Sequence, residues 1–212
     1  MKISKRLLVW LVVVSILLID QAIKVSVKMN MPLGDEIYVA DWFRIHFIEN
    51  NGMAWGMELG SKLFLSIFRI VAVVFGIYYI HGQLKRGTAG YGYLTVLAMI
   101  LAGAAGNIFD SLFYGVVFSE STPYSIAHIT EFGQGYAQPL MGKVVDMFYF
   151  PIIDTSWPDW VPFCGGDHFI FFSPVFNFAD ACISVGAFLL IIFFRKELGA
   201  NSDGEQSTSE AS

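Results

Sequence analysis

The stretch FNFADACISVGAFLLIIFF, residues 176–194, decides how this chain is read. It has the length and apolar character of a membrane-crossing helix, yet Asp180 sits near its start. An ionisable side chain is expensive in a hydrocarbon core, so such a residue marks a functional site by default. Asn177 precedes it by three positions, and on a helix the two share a face. The rest of the chain is read by asking what meets that face.

The chain has 212 residues, of which 55% are hydrophobic and 16% aromatic. Its mean hydropathy is +0.58, and the excess falls in blocks, as in a membrane protein. Residues 7–24, 63–80, 91–109 and 176–194 are each close to the roughly 20 residues that carry a helix through a ~30 Å core. The expected architecture is a mainly α membrane protein with four transmembrane helices at about 7–27, 62–82, 90–111 and 175–195. A small extracytoplasmic β-sheet is expected at about 35–58 and a long outer loop at 112–174. Together residues 1–198 read as one domain, with 199–212 a disordered cytoplasmic tail.

The net charge of −5 has no basic stripe that would point to nucleic acid. Cys164 in a loop and Cys182 in the fourth apolar block do not make a disulfide framework. They read as a loop thiol and a helix-packing residue.

Orientation follows from the basic residues. Lys2, Lys5, Arg6, Lys85, Arg86, Arg195 and Lys196 all fall on one side if four helices alternate, which places both termini in the cytoplasm. No small-x-small cleavage site follows the first apolar run, so it reads as a retained helix rather than a removed signal. In this topology Asp20, Arg69, Asn107, Asp110 and Asp180 all lie toward the outer leaflet. A transporter would more often gather such groups at the midplane.

Residues 37–48 are β-rich and lead to an Asn51-Gly52 turn. The outer loop carries Phe148-Tyr149-Phe150, Trp157, Trp160, Phe163 and Phe169 to Phe172, aromatic residues suited to a membrane interface. Within it Val144-Val145-Asp146 sets an acid behind two β-branched residues.

Two carboxylates within hydrogen-bonding reach share one proton, so that one acts as base on a water while the other polarises a scissile carbonyl. Asp146 and Asp180 are the candidates for such a pair, although chain spacing alone does not bring them together. Asn50, Asn107 and Asn177 are neutral groups suited to hold a peptide or orient the acids. Asp20 and Lys24 are four apart on the first helix and suited to pair locally, with a solvated interfacial ion pair as the plainer alternative. Cys164, Asp167 and His168 are close in sequence, but the other histidines are scattered and no metal site is expected.

Five motifs, taken together, make the chain resemble the lipoprotein signal peptidases, the bacterial type II signal peptidase family. They are Asp20-Gln21-x-x-Lys24, Asn50-x-Gly52-x-Ala54-Trp55-Gly56, Gly106-Asn107-x-x-Asp110, Val144-Val145-Asp146 and Phe176-Asn177-x-Ala179-Asp180. The resemblance implies an aspartic endopeptidase of the bacterial inner membrane, without metal or other cofactor. It implies substrates that are diacylglyceryl-prolipoproteins held among membrane lipids, cut just before the lipidated cysteine; the chain is expected to act as a monomer. It matches Asp146 and Asp180 to the catalytic acids and Asn50, Gly52, Asn107, Asp110 and Asn177 to residues lining the site, and it implies sensitivity to globomycin. The early sheet corresponds to the family's extracytoplasmic cradle.

Three positions depart from the family pattern. Ser111 stands where most members have arginine, and Arg69, otherwise unexplained in the second helix, is the candidate to reach the same acid cluster. The loop around Asp146 is longer on both sides, and Met147 replaces an aromatic residue. Two other classes explain part of the pattern. A proton-coupled transporter predicts polar groups continuing into the cytoplasmic half, and a membrane assembly factor predicts that Asp146 and Asp180 are dispensable.

Overall fold

The computed structural model describes residues 3–50 and 59–198. Gly52 with its turn and the tail at 199–212 therefore lie outside the described residues. Among the described residues three helices are long and apolar enough to cross a membrane: α1 (Lys5–Asn30), α2 (Leu59–Arg86) and α3 (Tyr91–Phe109), the last continuing through a π-helical turn (Asp110–Tyr114) into α4 (Gly115–Val117). α1 and α2 extend beyond their apolar blocks, because helical hydrogen bonding continues into polar flanks that hydropathy alone does not count, while α3 matches its block. The last helix, α5 (Phe178–Phe193), has 16 residues and at 1.5 Å per residue spans about 24 Å. Its expected start at 175 is corrected: Val175–Phe176 form strand β6, and extended backbone there delays the helix.

The chain forms two compact units. The first draws on the chain up to Asp20, on Phe64–Ile108 and on the chain from Ala179. Val9, Ile80, Ala89, Tyr93, Leu94 and Ala98 form its buried core. α3 and α5 approach closely because α3 is small-residue-rich where they meet. A Cβ on Gly103 would stand 2.4 Å from the Ala179 carbonyl oxygen, a separation only glycine permits. At one end of the unit Lys5 Nζ donates to the Gly87 carbonyl at 2.7 Å and the Tyr91 hydroxyl to the Ile3 carbonyl at 2.9 Å. The Phe194 ring lies 5.8 Å from that of Tyr93. The starts of α1 and α3 and the ends of α2 and α5 thus gather together.

The second unit, Gln21–Leu63 with Phe109–Phe178, is built on an antiparallel sheet in the order β1-β2-β3-β6. β1 (Glu36–Ala40) and β2 (Phe43–Asn50) form the local hairpin that the sequence predicts, and β3 (Val144–Tyr149) adds to it from the outer loop. The sheet is therefore not confined to 35–58, and 112–174 is not simply a loop. The reason is side-chain alternation along β3: Val145 and Met147 are fully buried in a core with Phe47, Val27, Met31, Tyr114 and Phe118, which leaves Asp146 on the opposite face. A second hairpin, β4 (Ile153–Ser156) with β5 (His168–Phe171), forms a separate two-stranded sheet.

Residues 118–143 are fastened by a buried charge cluster in the same unit. Lys28 and Glu49, almost wholly inaccessible, are ion-paired. The Ser121 hydroxyl donates to Glu49 at 2.8 Å and accepts from Lys28 at 2.9 Å. Lys143 Nζ reaches Glu49 at 3.4 Å, and its backbone N–H donates to the Tyr136 hydroxyl at 2.6 Å. Burial holds the Tyr136 phenol protonated well above the usual tyrosine range. Its ring also faces the Lys28 and Lys143 ammonium groups at 5.1 and 5.4 Å, so the loop is tied in by charge as well as by packing.

Candidate active site

Each unit holds one of the two candidate acids, and in each an asparagine amide grips it. In the first unit Asp180 lies in the first turn of α5, where unpaired backbone N–H groups favour an anion. Asn107, buried on α3, donates its Nδ2 to Asp180 Oδ1 at 2.7 Å. Asp20, fully buried on α1, accepts the backbone N–H of Ala179 at 2.9 Å. It therefore caps α5 from another helix. Gly106 makes room for this, since a Cβ there would stand 2.7 Å from Asp20 Oδ2.

In the second unit Asp146 is 2% exposed. Asn177, fully buried just before α5, donates Nδ2 to Asp146 Oδ1 at 2.6 Å. Asn50 ends β2 opposite Val144, while Ile48 lies opposite Asp146. Residues two apart along a strand share a face, so Asn50 is on the Asp146 side of the sheet, exposed where Asp146 is covered.

Asp110 has a different setting. It is fully buried in the π-helical turn, with Lys24 Nζ at 2.8 Å and the Gln21 amide donating at 2.8 Å. Tyr114 donates its hydroxyl to Gln21 Oε1 at 3.0 Å, which fixes the amide with its nitrogen toward the acid. The Val145 N–H stands 3.5 Å from Asp110 Oδ2. Asp110 therefore joins α1 and the end of α3 to the strand residue that precedes Asp146. It positions that strand, and Lys24 neutralises it.

These positions correct the surface reading of Asp20 and Lys24, because both side chains are fully buried and neither belongs to a solvated ion pair. Arg69 is half-buried on α2, and Asp110 has its cation in Lys24, so the absence of arginine at Ser111 leaves the acid neutralised. Ser111 is itself buried in the π-helical turn, where its carbonyl accepts from Gly142 at 2.9 Å. Among the described residues no three His, Cys, Asp or Glu side chains are grouped as a metal ion would need.

Sequence reasoning passed over Gln21, Tyr114, Lys28 and Glu49. Gln21 lay inside a quoted motif, and its spacing of three from Lys24 was the available signal. The other three are ordinary residue types whose partners are far away in sequence.

Comparison with known proteins bears on these arrangements. A family model described as signal peptidase (SPase) II matches residues 12–196. A lipoprotein signal peptidase of Porphyromonas gingivalis is 50% identical over 198 residues, covering 93% of this chain and 87% of its own. One from Amoebophilus asiaticus is 35% identical over 180 residues, covering 82% and 72%. A solved bacterial membrane enzyme, 25% identical, superposes with a TM-score of 0.57 over 90% of this chain and 88% of its own.

Proposed function

The chain belongs to the signal peptidase II family, and from that premise we propose that it is an aspartic endopeptidase whose acid–base pair is Asp146 and Asp180. Membership makes it a membrane protease of lipoprotein processing that removes signal peptides from prolipoproteins. The finer reading is that the substrate carries a diacylglyceryl group on cysteine and that cleavage falls just before that residue.

One observation carries the assignment: Asn107 and Asn177 each grip one of these acids through a neutral amide, whereas Asp110 is gripped by an ammonium. An amide that donates to a carboxylate oxygen orients that acid for proton exchange with water or with a second acid. In the proposed cycle one aspartate takes a proton from water as the oxygen attacks the scissile carbonyl. The other donates to the developing oxyanion, and the proton then passes to the leaving amine. Asn50, and Gly52 beyond the described residues, would serve the peptide on the Asp146 face of the sheet. Arg69 is proposed to support the acid cluster, and Arg69→Leu with unchanged cleavage and stability would remove it from that role.

We place the enzyme in the bacterial inner membrane with both termini cytoplasmic and the site near the outer leaflet, acting as a monomer without a cofactor. The deciding experiment is cleavage of a diacylglyceryl-modified prolipoprotein by purified protein, comparing wild type with Asp146→Asn and Asp180→Asn and adding globomycin or a chelator. Loss of cleavage in both folded variants, inhibition by globomycin and indifference to the chelator are expected. Full cleavage by either variant would discard the pair.

A further inference from the structure

The β4–β5 hairpin is amphipathic in a way its register makes plain. Ile153 pairs with Phe171 and Thr155 with Phe169, which sets these residues on one face; Asp154 and Ser156 lie on the other with Ile170 and His168. Trp157 extends the apolar face, its ring 4.8 Å from Phe169. On the polar face His168 Nε2 lies 2.7 Å from Asp154 Oδ1, and Asp154 Oδ2 lies 3.6 Å from a guanidinium nitrogen of Arg44 on β2. On the apolar face Ile153, Phe171 and Trp157 are exposed, and beyond them Trp160 is 81% exposed.

A two-stranded hairpin is marginal in water by itself, and an uncovered aromatic face of this kind marks a contact surface. What covers it is indicated by three features. Among its described residues the same chain carries three helices that are long and apolar enough to cross a membrane, so a bilayer is already its surroundings. The flanks of the hairpin and of the main sheet carry further ring contacts, Trp42 stacked on Phe150 at 6.1 Å, Phe150 stacked on Phe176 at 5.6 Å and Phe172 edge-on to Phe176 at 6.3 Å. Residues 151–174 contain Asp154, Asp159 and Asp167 but no lysine or arginine, so the segment is not built to attract anionic headgroups.

We propose that the apolar face of the β4–β5 hairpin, with Trp160 at its tip, is a lipid-contact surface. It lies in the interfacial layer of the bilayer and is held there by ring insertion rather than by charge. This surface rests on the membrane character of the chain and not on the peptidase chemistry. Through it the segment between β3 and β6 holds the rim of the sheet against the membrane that carries a lipid-modified substrate.

The test uses the full chain in phosphatidylcholine vesicles, with Cys164→Ser and Cys182→Ala as background and a nitroxide label on Trp160→Cys or, on the polar face, Ser156→Cys. The ratio of oxygen to nickel-chelate collision should be several-fold higher at position 160 than at 156, and unchanged when anionic lipid is added. Equal, water-like accessibility at both positions would overturn the proposal. Exclusion of both agents at position 160 would overturn it in favour of a protein partner or second copy. An increase in burial that required anionic lipid would overturn the charge-free mode. Prolipoprotein cleavage by the same preparations, measured separately, reports on the peptidase reading and leaves this outcome untouched.

Discussion

Asp110 and Asp146 are the same residue type, both buried, in the same unit, yet they differ in what holds them. Asp110 meets an ammonium, an amide whose orientation is fixed by Tyr114, and a strand N–H. Asp146 is held by the amide of Asn177. Burial alone therefore does not separate the acid paired with a lysine from the acid proposed for proton transfer. Breaking a buried ion pair is expensive, whereas an amide donor orients an acid without itself adding charge.

The sharpest way to break this contrast is to make the same substitution at both acids. Asp146→Asn keeps size and hydrogen-bonding capacity but removes the acid, so cleavage should fall by about 10²–10⁴, the usual worth of a general acid or base. Its melting midpoint should stay near that of wild type. Asp110→Asn should do the reverse, because it breaks the fully buried ion pair with Lys24. A loss of about 3–5 kcal/mol is expected, read as a lowered denaturation midpoint in detergent, while cleavage per folded molecule falls far less than in Asp146→Asn. If the two variants lost activity and stability in the same proportion, the distinction between these acids would be wrong.

Smaller changes sharpen the comparison. Gly106→Ala puts a Cβ 2.7 Å from Asp20 Oδ2, and overpacking of this kind costs about 1–3 kcal/mol. It should loosen the cap on α5 and so lower both stability and turnover, since Asp180 sits in that first turn. Tyr114→Phe removes the donor that orients Gln21. The expected loss is about 1 kcal/mol, visible in the denaturation midpoint with cleavage close to wild type.

Which parts of this were legible in sequence follows from the range of the interactions. The long helices show as apolar blocks, and Asp20, Asn107, Asp110, Asn177 and Asp180 stand out because polar residues in such blocks are few. The β3 strand did not show as part of the sheet, because its pairing with β2 joins Val144 to Asn50 across nearly half the chain. No local periodicity encodes such a partner. The start of α5 was misplaced for a related reason: Val175 and Phe176 are as apolar as the helix that follows, and only their pairing with Tyr149 and Phe148 reveals a strand. Lys24 and Lys28 were visible as charges, but nothing nearby in sequence names Asp110 and Glu49 as their partners. A chain read by itself shows where a charge is expensive, not how it is neutralised.

The pairing of Tyr149 with Val175 has a consequence for what the fold tolerates. The segment between them leaves and rejoins the sheet at facing positions, so its two ends stay zipped together whatever lies between. Closure entropy grows slowly, by about 0.6 kcal/mol for each doubling of a flexible loop. A longer or shorter segment here would therefore place little strain on the strand that carries Asp146. The clasp acts as a port at which outer attachments can change in length while the strand behind it keeps its register.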